Sequence, residues 1–131
     1  MQPWKVIVTL LALSGLGAVP NALAQQDHPV VIVAFNYLPG QAGELGQATQ
    51  IALPVLISQG DTVTGMNLDL PGGNHTITSD EVDAQNLPLF DSSIIGFMQS
   101  VPVPGVAQLP PGMHPFHCTL HPFMHGVLMV Q

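Results

Sequence analysis

Apolar residues in this chain fall in short runs instead of helical stripes. "VVIVAFNY" (30–37) is continuous in its apolar character, as a strand covered on both faces would be, and predicts a first strand. "LPVLIS" (53–58) and "QGDTVTGMNLDL" (59–70) read as two strands joined by a tight turn at Gly60–Asp61, the second with partial alternation. A "PGG" turn at 71–73 leads into "NHTITS" (74–79), another short strand. "SIIGFMQS" with "VPVPGVAQL" (93–109) supplies one or two edge strands, because Pro102 and Pro104 cannot donate to a central ladder. "HPFHC" (114–118) and "GVLMVQ" (126–131) complete the set. Segments 39–52 and 80–90 fit either a loop or a turn of helix.

Thirteen prolines and thirteen glycines punctuate these runs too often for long helices. The pattern therefore predicts an all-β domain, a two-sheet Greek-key β-sandwich of about seven or eight strands. The first 24 residues read differently. Lys5 precedes the apolar run "VIVTLLALSGLGAV", and "ALA" at 22–24 offers small residues for cleavage, which together predict an export signal. That run stops at Pro20 after roughly 14 residues, short of the about 20 needed to span a bilayer, so no stable membrane insertion is expected. Residues 25–131 then form a single domain, a monomer exported to the periplasm or the extracellular space.

Charge narrows the partners. Lys5 is the sole Lys or Arg, and it lies in the signal; the rest of the chain carries eight carboxylates, at Asp27, Glu44, Asp61, Asp69, Asp80, Glu81, Asp83 and Asp91. Nucleic acid and anionic membrane require the opposite sign. A basic docking partner, or an acidic milieu, suits this surface.

Small exported domains gain stability from paired cysteines, yet Cys118 is the only one here. It stands in "PFHCTLHPFMHG" (115–126), beside three of the six histidines. Cys118, His121 and Met124 at i, i+3 and i+6 could form one face of a helix, but Pro115, Pro122 and Gly126 leave no room for one. Strand alternation would put Cys118 and His121 on opposite faces. A tight loop at a strand end can turn all three side chains inward.

Thiolate and thioether are soft donors and imidazole is borderline, so a weak methionine in the set favours copper over zinc. Two histidines, one cysteine and a long axial methionine make the blue-copper arrangement. The second histidine is chosen from His28, His75, His114, His117 and His125. His117 should face away from Cys118; His114 could face the same way but sits lower on the strand. His75, at the start of its own strand after a glycine turn, can approach from a neighbouring strand and is the preferred fourth ligand.

"GDTVTGMNLD…GGNHTITS" together with "HPFHCTLHPFMHGVLMV" resembles the cupredoxins of the amicyanin, pseudoazurin and plastocyanin type. The resemblance covers 59–79 and 112–130 closely, and its Cys-to-Gly portion is the specific part. It implies His75, Cys118 and His121 as strong ligands of one type 1 copper, Met124 as the axial ligand, and Asn74 as a hydrogen-bonding support near the thiolate. Three positions depart from the family pattern: Met66 stands where Trp is frequent, His114 at an aromatic position, and His125 where Arg or Lys is more usual.

The resulting expectation is a small blue copper protein that shuttles single electrons between transient redox partners, not an enzyme, with Pro122 and Phe123 rimming His121 as the electron port. The nearest alternative is a periplasmic copper carrier or store, with His114, His117 and His125 as extra metal sites. A zinc site of His75, Cys118, His121 and His125 is chemically legal. A Cys118 nucleophile with His121 as base lacks any accompanying Asn, Asp or Glu in the motif. A terminus beginning "QDH" could chelate Cu(II) through His28, against the simpler expectation of a solvated, disordered end.

Overall fold

The computed structural model describes residues 24–39 and 54–131. The expected export signal, up to Leu23, and most of the 39–52 segment lie outside the described residues. Eight strands follow in chain order: β1 (Asp27–Val33), β2 (Asn36–Pro39), β3 (Val55–Ile57), β4 (Thr62–Asn67), β5 (Thr78–Ser79), β6 (Ser100–Pro102), β7 (Gly112–His117) and β8 (His125–Val130). They make two four-stranded sheets, ordered β2-β1-β4-β6 and β3-β8-β7-β5. Each sheet is mixed, with one parallel pair, β1 with β4 and β3 with β8. The expected all-β sandwich is the observed one.

Alternation sets the inner faces. In β4, Val63, Gly65 and Asn67 point inward; in β8, Gly126, Leu128 and Val130 do; in β7, His114 and Phe116 do, and Cys118 follows them. Between the sheets lie Val30, Ile32, Val63, Ile77, Phe90, Ile95, Phe116 and Leu128, all essentially sealed from solvent. Tyr37 of β2 meets Phe116 of β7 edge to face at 4.8 Å between ring centroids, one ring from each sheet. Gly126 is where the ladder needs a missing side chain, since a Cβ there would stand 2.3 Å from the Phe116 ring.

Two expected elements differ. The run 30–37 is not one strand but the end of β1, a two-residue turn at Ala34–Phe35, and the start of β2. Both turn residues have positive φ, 49° and 59°, and both amides donate to the Asp69 carboxylate at 3.2 and 3.3 Å. A remote acid thus holds a turn that carries none of the usual Asn-Gly signal. "SIIGFMQS" contributes only a bridge between Ile95 and His75 and the first residue of β6. β6 is an edge strand, as its proline requires. Segment 80–90 is an irregular loop closed by a Val82–Pro88 bridge, and a single 3-10 turn covers Val106–Gln108.

The segment leading into β1 is tied down by Asp61. Asp61 accepts from the Gln26 amide at 2.9 Å, from the Ser58 amide at 2.9 Å, and meets the His28 Nε2 at 2.8 Å. This ties β1 to the β3–β4 turn. It also commits His28 to a paired strand, which a chelate wrapping the "QDH" backbone would have to unzip.

Two predictions follow from this packing. Gly126→Ala is expected to cost about 1–3 kcal/mol by overpacking against Phe116, read as a lower denaturant midpoint at unchanged slope. The amides of Gln26 and Ser58, with His28 behind them, outweigh burial and hold the Asp61 carboxyl below its ordinary value. A depressed folded-state value means stabilisation that is complete above the ordinary carboxylate range and lost as pH falls below about 4. Asp61→Asn should therefore flatten the acid limb of a stability–pH curve measured by circular dichroism; an unchanged acid limb would discount the pairing.

Candidate metal centre

The site forms at the end of the sandwich where β1 turns into β2, β4 ends, β5 is about to begin and β7 ends. His75 is anchored just before β5 by a two-way backbone bridge to Ile95, at 3.1 and 2.8 Å. Cys118 is the first residue past β7. His121 and Met124 sit in the loop that returns to β8. That loop is cinched from inside: the Cys118 amide donates to the Met124 carbonyl at 3.1 Å, and the Met124 amide to the His121 carbonyl at 2.9 Å. Its mouth is the cross-strand pair His117–His125, so residues 118–124 span two neighbouring backbone positions. Pro115, Pro122 and Gly126 forbid a helix there, and the turn is what remains.

The three strong donors selected from the sequence converge. Cys118 Sγ lies 3.9 Å from His75 Nδ1 and 3.6 Å from His121 Nδ1, and all three donor atoms lie within 4.8 Å of one another. A sulfur about 2.3 Å and a nitrogen about 2.0 Å from one shared ion stand about 3.5–3.7 Å apart at tetrahedral to trigonal angles, close enough to the observed spacing that it accommodates an ion. Among the described residues this is the one such group of His, Cys and acidic side chains. His75 and Cys118 are fully buried and Met124 is 2% exposed. The loop hydrogen bonds place Met124 beside both Cys118 and His121 in the fold.

What surrounds the donors is as specific as the donors themselves. His75 Nε2 lies 2.8 Å from Asp69 Oδ2, with both side chains buried. A carboxylate there accepts, so Nε2 carries the proton and the Nδ1 lone pair faces Cys118. Burial by itself would raise the Asp69 carboxyl; the amides of Leu70 and Phe35 and the His75 ring outweigh it and hold the group below its ordinary value. Asp69 is positioned in turn by Asn67, whose Oδ1 accepts the Asp69 amide at 3.0 Å while its Nδ2 donates to the carbonyls of Gly73 and Ile95.

The sulfur has its own donor. The Thr76 amide points at Cys118 Sγ at 3.3 Å, and Thr76 Oγ1 accepts from the Thr119 amide at 2.9 Å, stitching the two donor-bearing segments together. The support expected of Asn74 thus comes from Thr76, on the other side of His75; Asn74 is exposed. Tyr37 donates its hydroxyl to the Thr76 carbonyl at 2.5 Å. Burial first, then the nearby Cys118 sulfur, push the Tyr37 phenol far above its ordinary value, so it stays a donor.

Phe35, at the tip of the β1–β2 turn, meets the edges of His75 and His121 at 5.6 and 5.1 Å between centroids and stands 5.9 Å from Phe123. With Phe123 69% exposed and His121 partly so, an apolar rim surrounds the one ligand candidate that reaches the surface. Of the other histidines, His114 is buried as alternation allows, but both its ring nitrogens are engaged, by Glu81 and the Pro110 carbonyl. His117 faces outward. Sequence reasoning missed Phe35, Tyr37, Thr76 and Asp69 as parts of the site. Only Asp69, an acid between two leucines six residues before His75, left a readable trace.

Two mixed four-stranded sheets carrying a buried His–Cys–His–Met cluster at one end define a cupredoxin β-sandwich whose donors fit one type 1 copper ion. Among the solved structures this chain resembles are variants of amicyanin. A methionine-to-alanine variant in its Cu(I) form superposes with a TM-score of 0.57 at 21% identity, covering 84% of this chain and 87% of that one. A reduced tryptophan-to-tyrosine variant gives 0.55 at 21% identity, covering 79% and 80%. A reduced Cu(I) proline-to-glycine variant at pH 4 gives 0.54 at 23%, again covering 79% and 80%. No protein-family model matches the chain, and no curated protein sequence does.

Asp69→Asn keeps the shape of the side chain and removes its charge behind His75. It is expected to weaken copper binding by about 10–100-fold, measured by competition with a chromophoric chelator, in protein whose far-ultraviolet circular dichroism is unchanged.

Proposed function

We propose that the chain is an exported electron carrier in which His75 Nδ1, Cys118 Sγ and His121 Nδ1 would hold a single copper ion, with the Met124 thioether as a weaker fourth donor. The convergence of the three strong donors, at spacings that suit one shared ion, is the observation that carries this reading. Bound copper supplies one-electron chemistry between its cupric and cuprous states.

The protein's contribution is restraint. His75 is held by Ile95 and Asp69, and Cys118 by Met124 and Thr76, so donor positions suited to one oxidation state are retained in the other. Little rearrangement then accompanies electron transfer. Burial of His75, Cys118 and Met124 excludes water from the ion, and with it a place for substrate to bind; a carrier is favoured over an enzyme. Electrons enter and leave through His121, whose edge is framed by Phe35, Pro122 and Phe123. Partners dock there transiently over a small area, and the acidic surface favours partners with a basic docking face. An export signal at 1–24 and a periplasmic or extracellular location complete the proposal.

Addition of Cu(II) to the purified protein is expected to give an intense visible absorption and a reversible one-electron wave. Met124→Leu should keep the colour and raise the reduction potential by about 60 mV or more, a tenfold shift in a one-electron equilibrium, since loss of the thioether disfavours Cu(II). A colourless, redox-silent copper complex would sink the proposal in favour of a copper store.

A further inference from the structure

The outer face of the β5–β7–β8 ladder carries a second pair of imidazoles, His117 and His125, separate from the buried centre. His117 immediately precedes Cys118, so strand alternation turns it away from the core. Its partner directly across the ladder is His125, and the two ring centroids are 6.5 Å apart. Directly opposed residues of an antiparallel pair stand on one face with Cβ atoms about 4.5–5.5 Å apart, close enough for both rings to reach one ion. From the opposite flank, Asp80, which follows β5, hydrogen-bonds through Oδ1 to His117 Nδ1.

That contact fixes the chemistry of the ring. A carboxylate accepts, so the His117 proton sits on Nδ1 and the Nε2 lone pair is left for an ion, the same carboxylate–imidazole logic that Asp69 applies to His75. His125 is exposed at the start of β8, and its ring has no hydrogen-bond partner among the described residues. We propose that His117 Nε2 and the His125 ring chelate a borderline divalent cation of the Zn2+ or Cu2+ class, with Asp80 behind His117 and water in the remaining positions. The rings stand somewhat wider than a shared ion requires, and rotation of the exposed His125 side chain closes the gap.

The surroundings favour a cation and exclude the neighbouring histidine. Residues 24–131 contain no Lys or Arg, while Asp80, Glu81 and Asp83 follow β5 directly. His114, two residues inward on β7 from Phe116, already spends both ring nitrogens on Glu81 and Pro110. The site is therefore a two-imidazole surface chelate, on the opposite face of β7 from Cys118.

Zn2+ titrated into reduced, copper-loaded protein and followed by calorimetry is expected to bind as one further equivalent, shifting the imidazole proton resonances of His117 and His125 and releasing no copper. His125→Gln should lower the Zn2+ affinity by at least about tenfold, whereas His28→Gln should leave it unchanged. The Cys118→Ala chain, which lacks the thiolate of the buried centre, should retain the uptake, so the result does not depend on the electron-carrier reading. Absence of saturable Zn2+ binding in both the copper-loaded and the Cys118→Ala proteins overturns the proposal. Uptake that His125→Gln leaves intact, or Zn2+ entry only by displacement of copper, does so equally.

Discussion

A buried carboxylate with no Lys or Arg to answer it must be stabilised by N–H groups, and at Asp69 that requirement organises one end of the molecule. An unsatisfied buried charge costs several kcal/mol, whereas hydrogen bonds to a charged group are worth about 1.5–3 kcal/mol each. Asp69 meets the need with the amides of Ala34 and Phe35 and with the His75 ring. These donors come from two segments, the β1–β2 turn and the entry to β5. The acid therefore fixes the β1–β2 turn, the entry to β5 and the end of β4 relative to one another. Because the turn it fixes carries Phe35, the same group orients a buried donor and builds the apolar rim above it.

β7 shows how one strand serves two environments. Its inward positions, His114, Phe116 and then Cys118, deliver a polar plug, a core ring and a metal donor in succession, while His117 between the last two is delivered to the outside. The ladder with β8 pins both ends of the 118–124 loop, and Gly126 lets the Phe116 ring lie flat against it. Core packing and donor geometry are thus coupled through adjacent residues of the same two strands. A disturbance of Phe116 reaches Cys118 through a single intervening residue, His117.

The sequence made the sandwich and the three strong donors legible because both depend on local pattern. Short apolar runs between Pro and Gly define strands, and the odd Cys–His spacing between helix-breaking residues leaves only a loop. What could not be read depends on contacts distant in sequence. The break at Ala34–Phe35 is held by an acid 34 to 35 residues away, and nothing in "VVIVAFNY" announces it. The sulfur's donor is a backbone amide, which every residue but proline possesses, so the side chain of Asn74 drew attention that the Thr76 peptide group deserved. The "SIIGFMQS" run failed as a strand because its work is to bridge His75 through Ile95 and seal the core, which takes only one residue in extended pairing.

The histidines complete the electrostatic argument. In a region without Lys or Arg, imidazoles are the only side chains that can pair with a carboxylate through a cationic form, and four of the six do lie against one: His28 with Asp61, His75 with Asp69, His114 with Glu81 and His117 with Asp80. Three of these contacts, at His28, His75 and His117, use one ring nitrogen and leave the other without a hydrogen bond among the described residues, and two of those rings, His75 and His117, lie beside a second imidazole. Among the described residues the two histidines without a carboxylate are His121 and His125, and each stands beside one of those two, His121 across the buried centre at 4.8 Å between centroids from His75 and His125 across the ladder from His117. Each of these two unbacked imidazoles is therefore paired with a carboxylate-backed one, on either side of β7, while His28 and His114 stand outside the pairs. A chain using histidine merely to neutralise acid would have no reason to place the two unbacked rings there; a chain holding cations would.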